Sequence, residues 1–460
     1  MGRIHSLPKI SALTFILSQT LFTLPAFAAG FQINEVSPSL QGAATAGAAA
    51  ATDDVTSMFS NPATLSTLIQ NQAYLGGSEI MPDVKMTNAR AIHTVNIPGM
   101  PLSSISAPVQ GLNYQNGISK SAFVPDTYFG WRFNRQWVGG VAVVAPFGLT
   151  TDYVNNSVLR FAAEKSSVAT IDIVPSLAYL INDKWSVGVG LQAQYMRASF
   201  SNYNGPYTGT PLDGFFASIS PTSLSGSSWG FGYTLGALYK PDELTRLGAS
   251  FRSQISEQLD GNGRQYTSPG GIVPAPSQDF LFNAETSVNA GVKTPAVLSL
   301  SGARDMGKWT VKASAQVNFW NTFNQLSVYM PQAFATNSTY QHNWRNAWLG
   351  ALGADFRMNP DWTLRGGLAY DETPTLNAYR DPRIPDSDRV WLAIGATYKP
   401  TKHFSVDGTY THIFFSNQTV NVTQAAGSSS NSTVPLEVNQ VYANYKASAN
   451  IVGLGLRYSF

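Results

Sequence analysis

From Trp185 to Tyr195 apolar residues alternate with small or polar ones. Trp185, Val187, Val189, Leu191, Ala193 and Tyr195 share one face, and Ser186, Gly188, Gly190, Gln192 and Gln194 share the other. A period of two is that of a β-strand with one apolar side. Ten steps of about 3.3 Å at a tilt of about 40° climb roughly 25 Å, the height of an outer-membrane apolar band between its aromatic girdles. A soluble sandwich has no reason to match that length.

The pattern recurs with its own punctuation. Short polar turns end on an aromatic in "NRQW" at Trp137, "NDKW" at Trp185, "DMGKW" at Trp309, "NPDW" at Trp362 and "KPTKHF" at Phe404. Aromatics one step past a tight turn fit the girdle on the side where barrel turns are short, the periplasmic side. Pairing segments around these turns predicts strands at 72–87, 121–134, 136–149, 167–181, 184–201, 227–240, 244–259, 286–304, 308–328, 342–358, 361–374, 387–399, 402–423 and 437–460. The expectation is therefore an all-β transmembrane barrel over 72–460, with fourteen antiparallel strands and both ends periplasmic. Loops 202–226 and 260–285 are long and rich in Gly, Pro, Ser and Asn, as on the extracellular side. In the final strand Val452, Leu454, Leu456, Tyr458 and Phe460 share a face.

One strand breaks the rule. In "WVGGVAVVAPFGL", parity puts Trp137, Gly139, Val141, Val143, Ala145 and Phe147 toward lipid and Pro146 toward the lumen. Proline has no N–H for a neighbouring strand, and a closed barrel has no edge to absorb that loss. Pro146 with Gly148 either ends the strand early at the outer interface or kinks it and interrupts its pairing.

The N-terminal region is different. Residues 1–28 carry Arg3 and Lys9, an apolar stretch from Ile10 to about Phe22, and Ala26-x-Ala28, which fits a cleaved signal peptide. Residues 29–71 do not alternate and are rich in Ala, Gly and Ser. "SNPATL" can start a helical turn, with Asn61 as N-cap and Pro62 and Ala63 following. These residues fit a capped helix on a periplasmic tail, or a plug filling a lumen that would otherwise be open.

Composition narrows the function. With no cysteine, net charge +2 and 12% charged residues, the chain is neither a disulfide scaffold nor a nucleic-acid binder. Past the signal no run of about 18 apolar residues predicts a membrane helix. The five histidines, His5, His93, His342, His403 and His412, form no pair at metal-ligand spacing, and no G-x-S-x-G occurs, so neither a metal or other cofactor nor an enzyme is expected. Parity sends Asp172, Arg252, Lys312, Asp355, Arg357, Arg365, Asp371, Arg389 and Asp407 into the lumen. Five bases against four acids fit an internal ion-pair lattice better than a charge-selective porin.

Five ordered motifs resemble one family: "AGFQINE" at the mature start, "NPA" at Asn61–Ala63, "WGFGYTLGALY" from Trp229, "AYDETP" around Asp371 and "IPDSDRVW" from Ile384. They are similar to those of the FadL family of outer-membrane transporters for long-chain fatty acids and other hydrophobic compounds. The resemblance spans essentially the whole mature chain. It implies a fourteen-stranded barrel in the outer membrane, a small helical hatch from residues 29–71, and passive uptake with lateral release into outer-membrane lipid through an opening at a kinked third strand. It singles out Pro146, Phe147 and Gly148 as the kink, Gly30 and Phe31 as its filling, and Asp371 and Arg389 as hatch-facing, with Asp371 taking backbone N–H groups of the Asn61 turn. It implies a groove of extracellular loops, here Leu212, Phe215, Phe216, Ile219, Phe280 and Phe282 with Ile272, Val273 and Leu281 beside them, that first captures ligand. The apolar loop residues fit mutual packing as well. Arg345 is a candidate partner for a fatty-acid carboxylate. The outer end of the fifth strand, "SFSNY", lacks the basic residue familiar members carry there, which leaves neutral aromatic hydrocarbons as the alternative substrate. A general porin, an outer-membrane hydrolase and an adhesin are the rivals; a monomer is expected.

Overall fold

The computed structural model describes residues 30–35, 37–96, 104–204, 220–265, 285–330, 337–426 and 437–460. The expected signal peptide and the groove residues Leu212, Phe215, Phe216, Ile219, Ile272, Val273, Phe280, Leu281 and Phe282 lie outside the described residues.

Fourteen antiparallel strands close into a barrel. They are β1 Gln72–Asn96, β2 Ala122–Arg132, β3 Trp137–Val144 with Gly148–Asp152, β4 Lys165–Leu180, β5 Trp185–Asn204, β6 Ser220–Tyr239 and β7 Thr245–Arg252 with Ile255–Gln265. The second half is β8 Glu285–Thr294 with Val297–Met306, β9 Trp309–Asn318 with Gln325–Tyr329, β10 Asn337–Gln341 with Ala347–Arg357, β11 Trp362–Asp371, β12 Arg389–Tyr398, β13 Phe404–Phe415 with Gln418–Ala426 and β14 Glu437–Ser459. Pairing of β1 with β14, from Gln72↔Ser459 to Val95↔Glu437, closes the sheet on itself. The longest departure from the expected bounds is β1, which continues to Asn96 because β14 keeps pairing with it beyond the apolar band. Two short strands in the β1–β2 loop lie against β1, Ser104–Pro108 along its outer extension and Gln115–Asn116 at Lys85 and Met86.

The turns and girdle have local causes. Asn134, Asn182 and Asn359 each accept two backbone N–H groups through Oδ1, those of Gln136 and Trp137, Lys184 and Trp185, and Asp361 and Trp362. These Asx turns fix the polar hairpins. Each following aromatic meets one across the strand pair: Trp137 with Tyr179 at 4.6 Å, Trp185 with Tyr239 at 4.2 Å, Trp309 with Phe356 at 4.7 Å and Trp362 with Tyr398 at 4.6 Å. On β5 Val187, Val189 and Leu191 point outward while Ser186, Gln192 and Gln194 are buried.

Residues 30–35 and 37–68 occupy the lumen, with a short helix, Pro38–Gln41, and three 3-10 turns, Ala48–Ala50, Val55–Phe59 and Pro62–Thr67. Small residues let this segment lie flat on the wall. A Cβ on Gly236 would stand 1.9 Å from the Asn61 Oδ1, and one on Gly248 1.9 Å from the Ala49 carbonyl. Asn61 caps its turn by accepting from Ala63 N–H at 3.0 Å and donates to the Ala49 and Ala237 carbonyls at 2.7 and 2.9 Å, tying hatch to wall.

Candidate functional site

β3 is broken. It pairs with β2 from Arg132↔Val138 to Thr127↔Val143 and no further, although β2 itself continues along β1 to Ala122. On its other side β3 pairs with β4 up to Val144↔Asp172 and resumes at Gly148↔Ala169. Across the break Thr170 donates its backbone N–H and its Oγ1–H to the Phe147 carbonyl, so the β4 seam holds and the β2 seam opens. Pro146 stands on one side of the opening. Pro125 stands on the other, where extension of the register would set it opposite Ala145. Neither nitrogen can donate to the missing ladder. Above, the β1–β2 loop closes the window: Ser119 Oγ–H donates to the Thr150 carbonyl and Asp152 N–H to the Ile118 carbonyl, both at 2.8 Å.

The hatch fills the opening as a fragment of strand. Gly148 N–H donates to the Phe31 carbonyl at 2.9 Å and Ile33 N–H to the Pro146 carbonyl at 2.7 Å. Gln32 and Phe147 form an antiparallel bridge. Backbone groups that lipid could not satisfy thus find partners in the hatch. The break also reverses the facing of β3: Ala145 and Phe147 were expected toward lipid, and both are buried at 4% exposure, because three residues outside the β2–β3–β4 ladder turn the chain inward and parity no longer carries across. Phe147 meets Phe31 at 5.8 Å between ring centroids, and Phe31 in turn meets Trp320 at 4.8 Å and Phe323 and Trp344 at 5.8 Å.

Phe31 is also one wall of an apolar cavity, lined further by Leu149, Val168, Met196, Phe200, Leu224, Val292, Leu326 and Val328. A smaller cavity shares Phe200, Leu224 and Val328 and extends it toward Leu259 and Val288, so the space is elongated. Beyond Phe31, Ile33 and Asn34 line a different, serine-rich cavity with Ser250, Ser299, Ser301 and Ser314. The first residues of the hatch separate the two.

An acidic latch holds the N-terminal end. Gly30 N–H donates to Asp386 Oδ2 at 2.9 Å; Asp386 and Asp371 flank Arg389 at 3.5 and 3.6 Å. Burial pushes the Glu35 carboxyl up to about 7, against the pull of Arg389, and raises Asp386 as well. Asp371 lies near this end of the hatch, beside Arg389; the Asn61 turn that it was expected to hold lies on β5 and β6 and caps itself. Farther down, the luminal charges form a chain that reaches the hatch. Lys312 lies 3.2 Å from Asp53 and 2.5 Å from Asp355, Arg365 lies 3.8 Å from Asp355 and 3.6 Å from Asp407, and Arg457 lies 3.1 Å from Asp54. Asp172 accepts from Gln192 at 2.8 Å, Arg252 sits 4.5 Å over the Phe59 ring, and Arg357 pairs with Asp305 at the rim.

Arg345 is not brought to the cavity. It pairs with Glu372 at 2.9 Å and donates from Nε to the Thr373 carbonyl. The guanidinium that does reach it is Arg383, with Asp381, Tyr340 and His342 beside it. Sequence reading passed over Arg383 and Pro125. The signal for Arg383 was a base between two prolines in "DPRIPDSDR", a rigid setting for a side chain that must point inward.

A closed barrel with apolar residues outward and a hydrogen-bonded plug inside defines an outer-membrane transport barrel. The chain belongs to the family described as outer membrane protein transport protein (OMPP1/FadL/TodX), whose profile matches residues 19–460. It is 28% identical to the long-chain fatty acid transport protein of Escherichia coli over 88% of this chain and 91% of that one. It is 28% identical to outer membrane protein P1 of Haemophilus influenzae over 94% and 95%. Its fold superposes on the crystal structure of a Pseudomonas aeruginosa FadL homologue with a TM-score of 0.80 at 23% identity, covering 94% of this chain and all of that one. The Ralstonia pickettii toluene transporter TbuX gives 0.64 at 19% identity over 92% and 98%.

Proposed function

We propose that this protein is a passive uptake channel for hydrophobic compounds, long-chain fatty acids foremost, which releases its ligand sideways into outer-membrane lipid. The observation that carries this reading is the double role of Phe31: one side chain is a wall of the apolar cavity and part of the filling of the gap between β2 and β3. A ligand growing into the cavity competes for the surface that Phe31 covers. Displacing Phe31 disturbs the bonds of Gly148 and Ile33 and opens a path to lipid that never crosses the serine-lined cavity or the charged base of the hatch. An elongated apolar space suits a chain better than a compact ring. Capture at the outside is assigned to loops 202–226 and 260–285.

Neutral aromatic hydrocarbons are the second reading, favoured by the cluster of Phe31, Trp320, Phe323 and Trp344 and by the occupation of Arg345 by Glu372. The test is growth-coupled uptake of hexadecanoate and of toluene by cells lacking their own transporter, with ion conductance of the purified protein in planar bilayers. Uptake of one ligand with low, sporadic conductance supports a hatched channel. Steady ohmic conductance without ligand-specific uptake overturns it in favour of a general porin.

A further inference from the structure

The apolar cavity has one polar corner, and its chemistry is uneven. Arg383 is buried, and its Nη1 donates to the Ser166 Oγ at 3.0 Å and to the Ser201 and Lys165 carbonyls at 3.1 and 3.4 Å. Among the described residues its Nε and Nη2 donate to nothing. These two groups form one edge of the guanidinium, the parallel fork that matches the two oxygens of a single carboxylate. The nearest acid in sequence, Asp381, accepts the backbone N–H of Arg383 at 2.7 Å. His342 lies beside it, and its Nδ1 has no partner among the described residues. The edge is reached from the cavity that Arg383 lines, where an anion gains a charge-assisted pair.

Its position gives the ligand a direction. Arg383 is held at Ser166, four residues outward along β4 from Thr170, where β4 grips the break of β3. Four steps are about 13 Å of strand. Phe200, 5.9 Å from the guanidinium, and Leu224, Leu326 and Val328 line the space between that end and Phe31.

We propose that the Nε–Nη2 edge of Arg383 seats the carboxylate of an amphiphilic ligand and that its apolar tail runs inward to Phe31. This rests on the uptake reading above and adds to it a specificity-determining residue and an orientation. The tail reaches Phe31 first, so the ligand leaves through the wall tail-first while its head is still held. Nη1 alone carries the structural duty of pinning the β11–β12 loop to β4 and β5, which separates the two roles of the side chain.

The experiment compares hexadecanoate with hexadecanol, alike in length and different in charge, by equilibrium binding to the purified full-length protein at pH 8. Arg383→Gln is expected to weaken hexadecanoate about tenfold or more, the loss of a charge-assisted pair, and to leave hexadecanol within about twofold. Arg383→Lys is expected to keep most of the preference, and Asp381→Asn to tighten hexadecanoate by removing the competing negative charge. Equal effects of Arg383→Gln on both ligands, or none on either, overturn the assignment while hexadecanol binding leaves the uptake reading standing. Failure of both ligands to bind the wild-type protein overturns both. If Arg383→Gln does not fold, as judged by heat-modifiable mobility, unchanged hexadecanoate affinity in Asp381→Asn overturns the assignment.

Discussion

The Phe31 carbonyl accepts the Gly148 N–H at 2.9 Å, the bond that a neighbouring strand would make in an unbroken barrel. Wall and plug are therefore one hydrogen-bonded surface at this point, and opening the wall means breaking plug contacts.

Straightening β3 should disable release without unfolding the protein. Pro146→Val combined with Gly148→Thr removes the break and gives residue 146 a donor. We expect hexadecanoate uptake to fall at least about tenfold, with heat-modifiable mobility and ligand binding retained. Normal uptake in the double variant would rule out exit through this gap.

Phe31→Ala removes a ring that meets four aromatic neighbours. A buried Phe→Ala change costs about 3–5 kcal/mol, here charged to docking of the N-terminal segment because the barrel closes through its own strands. Hydrogen exchange at Gly148 and Ile33 should accelerate and open events in planar bilayers should become frequent. Unchanged exchange at both amides would show that the ring does not hold the seal.

The N-terminal end of the hatch should loosen as pH rises. Glu35 is raised in the docked state from 4.5 to about 7, so docking binds a proton that the undocked segment releases. Docking is then fully stable below about pH 4.5 and loses stability progressively up to about pH 7, with Asp386 shifted in the same direction. One pKa unit is about 1.4 kcal/mol, so the span amounts to a few kcal/mol. Glu35→Gln should flatten the pH dependence of exchange at Ile33 between pH 5 and 8; a slope equal to wild type would discount Glu35.

Asn61→Ala deletes an N-cap and two side-chain donors to the Ala49 and Ala237 carbonyls. The loss should be about 1–3 kcal/mol of hatch docking. Limited proteolysis of the folded protein should cut between residues 41 and 71 faster than in wild type while the barrel stays intact. Equal cutting rates would mean that the wall glycines and the ion chain suffice.

The sequence alone determined the barrel. Alternation over a membrane-spanning length, polar Asx turns and the aromatic after each one are local or period-two signals, and the fourteen strands appear where those signals placed them because every strand solves the same problem against lipid. Pro146 announced an interruption for the same local reason. What tertiary structure decided lies where chain segments distant in sequence meet. The reversal of Ala145 and Phe147 depends on Gln32 and Ile33 standing in for β2, and parity cannot know that a strand will stop being paired. Arg345 and Arg383 are alike as sequence. Glu372 neutralises the first, whereas Ser166 and Ser201 turn the second into the cavity with one edge free, and that difference is made by loops packing over a closed barrel.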